Sequence, residues 1–329
     1  MKIIISLLLF LTLFLASCSD SIPTATEVDV VADVGGCPDG VTTSEAGKIY
    51  ITDICDGSVK RINDDGTATV IVAPGLIEAP DGVTAVTTDE GKEILYVTET
   101  GTDPITGEII SSDGSVKKID VDTGVVTEFV DNSVISNPTG IADDSSGNLY
   151  IADQSGSVYK VPVDGSGNAK APVDLTADLP SDVTIEAPHG ITLVEDEDSN
   201  VTLYVTDQGT ANNSIIKIEV DTTASPVVTE IVAPAPASSE EGKFNKPHGI
   251  SKDNNGAIFV ADENNNRVAV ITPNGNVITF AGSSDGTAGD TSGDPKKAKL
   301  NSPRGIAVDS EGSVLVCDYA NGKVKKVKQ

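Results

Sequence analysis

Residues 245–271 read NKPHGISKDNNGAIFVADENNNRVAVI, and this stretch decides the fold of the chain. It opens with Pro-x-Gly and a short apolar segment, turns at DNNGA, and returns as a second apolar segment that ends in aspartate. A third segment, RVAVI, follows. Short apolar segments separated by Gly- and Asn-rich turns are typical of β-strands joined by hairpins. The stretch therefore predicts three consecutive strands.

The same phrase occurs six times along the chain. Each copy is anchored by a proline, and these prolines are Pro38, Pro80, Pro138, Pro188, Pro247 and Pro303. In the first five copies a fourth strand follows, in TATVIV, VVTEFV, KAPVDL, VVTEIV and NVITFA. The sixth copy lacks this strand, and TEVDVVADV before the first Pro-x-Gly can supply it.

The second strand of each copy is apolar with little alternation, as in LYIAD, AIFVAD and VLVCD. Strands of this kind are buried on both faces. Four-stranded units packed side by side around an axis form a β-propeller. The sequence thus predicts an all-β fold, a six-bladed β-propeller with four-stranded blades, closed by the N-terminal strand pairing with the last blade.

The repeated phrase resembles the NHL repeat, and the resemblance covers residues 27–329. The strongest match is FAGSSDGTAGDTSGDPKKAKLNSPRGIAVDSEGSVLVCDYANGKVKKV. The resemblance implies a propeller related to peptidyl-amidating lyase, virginiamycin B lyase and gluconolactonase-type enzymes. The insertion TGTDPITGEIISSDGS is interpreted as a loop on the rim of blade 2.

The residue between Pro and Gly begins the innermost strand of each blade and is expected near the central channel. Reading it from the six copies gives Asp39, Asp81, Thr139, His189, His248 and Arg304. In a six-fold ring the first blade faces the fourth, which predicts that Asp39 lies opposite His189, Asp81 opposite His248, and Thr139 opposite Arg304. The chain has only two histidines, and both stand in this ring.

Two imidazoles and two carboxylates that converge on a channel suit a single divalent metal, zinc or a similar ion. The resemblance sharpens this hypothesis, because peptidyl-amidating lyase holds zinc with histidines from corresponding motifs, and virginiamycin B lyase uses histidine and magnesium near its channel. The chain has two histidines where the amidating lyase takes three. The gluconolactonase-type relatives rely on an acid in the first blade, where this chain has Asp39. Two alternatives stay open. The ring residues, including Thr139 and Arg304, could contact a polar ligand at the mouth without a metal, or they could have no role beyond forming the Pro-x-Gly turn.

An acid follows the second strand in every copy: Asp53, Glu99, Asp153, Asp207, Asp262 and Asp318. Because all six blades carry it equally, it is predicted to satisfy backbone N–H groups in the turns rather than to form a site. Cys317 precedes the last of these acids, at a position otherwise filled by Thr or Ala. It is therefore predicted to be an inert core thiol.

Residues 1–17 have the pattern of a signal peptide, with Lys2 ahead of an apolar run too short for a permanent membrane span. The run ends in LASC, which resembles the lipobox of bacterial lipoproteins and predicts lipidation of Cys18; an ordinary secretory signal is the alternative. Residues 18–26 would then form a tether that leads to the propeller at 27–329. Ser19 in place of an aspartate predicts an exported lipoprotein of the outer membrane or cell surface.

Cys37 and Cys55 lie opposite each other across the hairpin CPDGVTTSEAGKIYITDIC, and an exported chain permits a disulfide between them. The formal charge of −28 excludes nucleic acid as a partner, because phosphate binding needs Lys and Arg. The chain is expected to be a monomeric propeller attached to the membrane through its N-terminal lipid.

Two functions remain open from the sequence. The first is a recognition module that binds a protein, glycan or small molecule through the channel mouth and the rim loops DQGTANNS, DENNNR and the blade-2 insertion. The second is a metal-dependent lyase or lactone hydrolase at the channel mouth, in which the metal activates water or a carbonyl and Arg304 holds an anionic group.

Overall fold

The computed structural model describes residues 22–101, 114–164, 166–179, 184–209, 213–220, 227–232, 243–272 and 276–329. The chain forms six antiparallel sheets of four strands each, arranged as the blades of a propeller. This confirms the predicted fold. Among the described residues no helix is long and apolar enough to span a membrane.

The strands are numbered in chain order, and each blade runs from its inner to its outer strand. Blades 1 to 3 consist of β2 (Pro38–Thr43), β3 (Ile49–Asp53), β4 (Ser58–Ile62) and β5 (Ala68–Val72); β6 (Pro80–Thr87), β7 (Glu93–Glu99), β8 (Ser115–Asp120) and β9 (Val125–Val130); and β10 (Pro138–Asp143), β11 (Leu149–Asp153), β12 (Ser157–Val161) and β13 (Val173–Asp174).

Blades 4 to 6 follow the same order. They consist of β14 (Pro188–Glu195), β15 (Val201–Gln208), β16 (Asn213–Val220) and β17 (Val227–Val232); β18 (Pro247–Lys252), β19 (Ile258–Asp262), β20 (Arg267–Ile271) and β21 (Val277–Ala281); and β22 (Pro303–Val308), β23 (Val314–Asp318), β24 (Lys323–Lys328) and β1 (Glu27–Asp33). Short 3-10 helices, Glu263–Asn265 and Tyr319–Asn321, follow β19 and β23.

The ring closes as predicted. Strand β1 pairs antiparallel with β24, from Glu27 opposite Lys328 to Asp33 opposite Lys323. Lys325 of β24 is fully buried and lies 2.8 Å from the Asp318 carboxylate of β23. First and last segments of the chain therefore share one blade, and that blade depends on a buried ion pair.

The hydrophobic core lies between the blades. Second strands supply its centre, as Tyr50, Tyr150 and Phe259 are completely buried. Tyr50 of blade 1, for example, shares a cluster with Leu95 of blade 2. This packing accounts for the nearly continuous apolar character of the second strands.

The Pro-x-Gly phrase is a β-bulge in all six blades. The proline pairs with the acid that ends the second strand, and the register shifts before the next pair, as between Pro38 and Val41. Each glycine abuts the neighbouring inner strand, where a Cβ atom would lie 2.0–2.5 Å from a carbonyl oxygen of the next blade. Glycine is thus required by close approach, and the bulge re-aims the residue before it.

The repeated acid holds this phrase in place. In every blade it accepts N–H groups from the one or two residues that precede the proline, as Asp53 does from Cys37 and Asp207 does from Glu186 and Ala187. The corresponding bonds in the other blades run to Glu99, Asp153, Asp262 and Asp318. The structural interpretation of these acids is confirmed.

The predicted disulfide is also confirmed, with Cys37 and Cys55 bonded and their Cα atoms 5.4 Å apart. Cys317 is a free thiol without exposed surface. Burial raises its pKa well above the ordinary value, in keeping with an unreactive core position.

Candidate functional site

The six bulge residues surround the mouth of the central channel and are almost entirely buried, with exposed fractions between 0 and 8 %. Asp39, Asp81, His189 and His248 line one cavity there. The bulge in each blade therefore places the residue between Pro and Gly at the channel mouth, and this residue differs in chemistry from blade to blade. The term "mouth ring" is used below for Asp39, Asp81, Thr139, His189, His248 and Arg304.

The two imidazoles meet. Their ring centroids are 3.8 Å apart, from the adjacent blades 4 and 5. His189 Nε2 lies 3.6 Å from Asp81 Oδ2, and His248 Nε2 lies 3.7 Å from Asp39 Oδ1. Within the described part of the chain neither imidazole nitrogen has a hydrogen-bond partner.

The predicted pairing across the ring holds only in part: Asp81 and His248, from opposite blades, offer ligand atoms within 4.8 Å of each other, but the contacts within 4 Å are different. Within 4 Å, His189 contacts the carboxylate of blade 2 and His248 that of blade 1, whereas diametric opposition would join His189 to Asp39 and His248 to Asp81. The inner strands touch at their glycines, so the channel is narrow and each imidazole is also within reach of a carboxylate that is not directly opposite.

Asp81, His189 and His248 form a group able to hold a metal ion, with one potential ligand atom from each lying within 4.8 Å of the others. Burial lowers the pKa of both imidazoles well below the usual value, which favours the neutral form that binds metals. Burial, and then the charge of Asp39, raises the pKa of Asp81 well above its usual range. A bound cation would favour the ionised form of Asp81, and the neutral imidazoles could coordinate that cation.

Asp39 has a different role in this arrangement. Its Oδ2 accepts a 2.6 Å hydrogen bond from Arg304 Nη1, because blade 6 adjoins blade 1 in the closed ring. Its Oδ1 is buried and has no hydrogen-bond partner. Burial raises the pKa of Asp39, and the Arg304 guanidinium opposes that shift.

Thr139 was expected to offer a ligand contact, but its hydroxyl is turned into the fold. It lies 3.1–3.3 Å from the backbone carbonyls of Ala152, Pro188 and His189. The predicted opposition of Thr139 and Arg304 does not produce a contact. Thr139 instead links blade 3 to blade 4.

Sequence reasoning missed two residues that complete the mouth. Glu263 lies with its Oε1 3.5 Å from Arg304 Nε, and the Tyr319 ring centroid lies 3.5 Å from Arg304 Cζ. Lys246 in turn lies 3.0 Å from Glu263. A signal existed: the position after the repeated acid is Ile54, Thr100, Gln154, Gln208, Glu263 and Tyr319, and it carries an acid or an aromatic ring only in the last two blades.

Beneath the polar mouth the channel is apolar. The residue after each bulge glycine is Val or Ile, and all six are buried and line the same cavity: Val41, Val83, Ile141, Ile191, Ile250 and Ile306. The mouth is therefore a cup with a polar wall and an aliphatic floor, the arrangement of polar groups within apolar lining that is typical of small-molecule sites.

Several predicted features lie outside the described residues. These are the signal segment 1–17, Cys18, residues 102–113 of the blade-2 insertion, and residues 210–212 of the loop DQGTANNS. The loop DENNNR is described and forms the 3-10 helix Glu263–Asn265.

Comparison with known proteins supports the fold. The NHL repeat model matches residues 244–278 and 300–327. Teneurin-1 of Caenorhabditis elegans is 22% identical over 342 residues, which cover 88% of this chain; the match spans 12% of the length of Teneurin-1.

Solved structures with the same architecture include a protein named as a binding protein and proteins named as enzymes. An auxiliary nutrient binding protein from Bacteroides thetaiotaomicron is 17% identical, with 90% of this chain and 69% of that chain covered and a TM-score of 0.66. A gluconolactonase from Xanthomonas campestris is 14% identical (91% and 88% covered, TM-score 0.63). Virginiamycin B lyase from Staphylococcus aureus is 18% identical (93% and 99% covered, TM-score 0.56).

At these identities the shared property is the fold, since one architecture hosts both binding proteins and enzymes. The matched repeats lie in blades 5 and 6, which supply His248 and Arg304 to the mouth ring. The chain is a six-bladed β-propeller with NHL repeats in blades 5 and 6.

Proposed function

We propose that the protein is an exported, lipid-anchored binding module whose channel mouth takes up a small ligand through a divalent metal held by Asp81, His189 and His248. The observation that carries the proposal is the convergence of both histidines of the chain with a carboxylate in one buried cavity. Buried polar side chains without hydrogen bonds are costly, and metal coordination offsets that cost.

The donor set fits zinc or a similar ion. Two neutral imidazoles and one carboxylate are typical ligands of such metals, and three protein ligands leave a coordination position for an exogenous group. The 3.6 Å between His189 Nε2 and Asp81 Oδ2 suits two ligands that are each about 2.1 Å from a shared cation. When bound, the metal would act as a Lewis acid toward a ligand oxygen.

The cup determines how a ligand enters. Aliphatic side chains line the cavity beside the mouth ring, so the polar head of a ligand would lie at the ring and its remainder would extend toward the rim. The loop Glu263–Asn265 flanks that rim. A ligand with a carboxylate, carbonyl or hydroxyl oxygen at one end fits this shape.

Export and anchoring belong to the same proposal. The signal pattern and the lipobox at Cys18 support it, and the Cys37–Cys55 disulfide suits an oxidising compartment. Cys18→Ala is expected to move the protein from the membrane fraction to the soluble fraction and to remove the acyl mass from the N-terminal peptide. Unchanged fractionation and no acyl mass on the wild-type peptide would contradict lipidation.

A second candidate is a metal-dependent lyase or lactone hydrolase at the same mouth. The stacking of Arg304 on Tyr319, with Glu263 beside it, favours this candidate because it places a cation and groups able to transfer protons next to the metal ligands. Solved propellers named as a gluconolactonase and as virginiamycin B lyase share the fold. Turnover of cyclic esters that disappears in His189→Ala would favour the enzyme; binding without turnover would favour the module.

The experiment that tests the metal is elemental analysis of protein purified without a histidine tag. We expect one equivalent of a divalent transition metal after incubation with zinc, and loss of that metal in the His189→Ala/His248→Ala variant. Asp285→Asn, which removes an exposed turn carboxylate, is the matched control and should retain the metal. A wild-type protein that takes up no metal, or a double variant that keeps it, would overturn the proposal.

A further inference from the structure

We infer that Arg304 is a positioning residue that withholds Asp39 from the metal, so that the site keeps three protein ligands and an open position. This inference rests on the metal proposed above for Asp81, His189 and His248. It concerns Asp39, the second carboxylate of the mouth ring, which lies beside these three residues but is not one of the proposed ligands.

Asp39 is close enough to be a ligand. Its Oδ1 is 3.7 Å from His248 Nε2, about the separation between His189 Nε2 and Asp81 Oδ2 within the group itself. Yet the three-residue group able to hold a metal comprises Asp81, His189 and His248. Asp39 is thus adjacent to His248 but outside the group whose ligand atoms all lie within 4.8 Å of one another, and the contacts of Asp39 show what holds it there.

The difference between the two carboxylates is Arg304. Asp39 Oδ2 accepts its 2.6 Å hydrogen bond, and both side chains are more than nine-tenths buried. No cationic side chain lies within 4 Å of Asp81 in the described part of the chain, apart from His189 if it is protonated. A charge-assisted bond of this length between buried groups fixes the carboxylate and neutralises it, which weakens it as a metal ligand.

The guanidinium itself is held in place from two further directions. Glu263 Oε1 lies 3.5 Å from its Nε, and the centroid of the Tyr319 ring lies 3.5 Å from its Cζ. Arginine suits such a position, since its planar fork pairs with carboxylates and stacks on aromatic faces. Arg304 thus cannot follow Asp39 toward the channel.

The free oxygen of Asp39 then has a separate use. Asp39 Oδ1 is buried, unpaired and directed toward the imidazole of His248. A hydroxyl or water on the open metal position would find its hydrogen-bond acceptor there. The proposed arrangement thus assigns Asp81 to the metal and Asp39 to the ligand.

The test is Co²⁺ binding, followed by titration and by the visible absorption of the bound ion. We expect Asp81→Asn to weaken Co²⁺ binding by about tenfold or more, and Asp39→Asn to change it by less than about threefold. Arg304→Gln should bind Co²⁺ about tenfold more tightly, with an altered absorption spectrum, because Asp39 is released to coordinate. Adding Asp39→Asn to Arg304→Gln should restore the wild-type spectrum.

Arg304→Lys is the conservative variant and keeps a cation beside Asp39, so its spectrum should resemble that of the wild type. If Arg304→Gln fails to fold, the comparison of Asp39→Asn with Asp81→Asn decides the question alone. Equal losses in those two variants would overturn the inference and leave the metal site standing. A wild-type protein that does not bind Co²⁺ would overturn the metal proposal and this inference with it.

Discussion

Two rings of polar residues run around the same propeller and differ in how they are satisfied. The six acids that end the second strands each accept backbone N–H groups, and four of them also pair with buried or half-buried Lys or Arg, at Asp53, Glu99, Asp262 and Asp318. The mouth ring, by contrast, carries different chemistry in nearly every blade and leaves Asp39 Oδ1 and Arg304 Nε buried without hydrogen bonds.

The comparison separates residues that hold the blades together from residues that are available to bind a ligand. A residue that every blade repeats, with its hydrogen bonds complete, holds the blade together. A position whose residue differs from blade to blade, and whose buried polar atoms lack hydrogen bonds, lowers the stability of the free protein. A bound ligand would supply the missing interactions.

Asp318→Ala should be the most damaging change. It would leave the fully buried Lys325 with only the partly exposed Asp290 carboxylate, 3.1 Å away, as an acidic partner, and it would remove the acceptor for Asn301 N–H. Breaking a buried pair from one side costs about 3–5 kcal/mol of unfolding free energy. Urea unfolding measures the loss. Asp29→Ala, on the exposed face of the same blade, is the control, and equal effects in the two variants would erase the proposed distinction.

Reduction of the Cys37–Cys55 disulfide, or the Cys37→Ser/Cys55→Ser variant, should destabilise blade 1 by about 3 kcal/mol. The bond closes a short loop around the turn that Asp53 also holds, since both cysteine N–H groups donate to that carboxylate. Thermal unfolding with and without reductant measures the effect. Unchanged stability would mean that Asp53 alone fixes the turn.

Asp143 is a carboxylate outside both rings and sharpens the contrast through pH. It accepts a hydrogen bond from Thr84, and burial raises its pKa to about 6. Because the folded-state pKa exceeds the unfolded value, the contribution of Asp143 to stability is present below about pH 4 and lost as pH rises through about 6.

Asp143→Asn should therefore be more stable than wild type at pH 7.5, by about 1–2 kcal/mol, and nearly equal to it at pH 4. Urea unfolding at the two pH values measures the difference. Asp89→Asn, an exposed turn residue, should show no such divergence. A parallel pH profile in Asp143→Asn and wild type would contradict the prediction.

The smallest effect on stability is expected where the effect on ligand binding is largest. The His189→Ala/His248→Ala variant removes two buried side chains that have no hydrogen bonds, so the lost packing is offset by relief of buried polar groups. The metal-free unfolding free energy should change by less than about 1 kcal/mol. A loss comparable to that of Asp318→Ala would assign the histidines to the architecture.

Most of the fold could be predicted from the sequence because one phrase encodes the strand, the bulge and the inter-blade contact together. Pro38 and its five equivalents mark the bulge, and each glycine marks the close approach to the next blade. Membership of the mouth ring followed from the same alignment of repeats. The disulfide followed from the hairpin register.

The contacts within the ring could not be predicted in the same way. Alignment fixes which blade a residue belongs to, but the length and charge of its side chain decide which neighbour it reaches. Arg304 was placed opposite Thr139, yet it turns to Asp39 of the adjacent blade because an opposite charge lies within reach. Glu263 and Tyr319 stand outside the Pro-x-Gly phrase, at the repeat position after the acid, and the change of chemistry there in the last two blades is the signal that pointed to them.

The closing blade has one more consequence, which concerns orientation. Strand β22 starts at the mouth, and three antiparallel pairings in succession make β1 run in the opposite sense, toward the mouth, where Pro38 follows. Glu27 therefore lies at the end of the blade that is farthest from the cup. The chain therefore enters the propeller from the end opposite the cup, and under the lipidation proposed for Cys18 the cup would face away from the membrane.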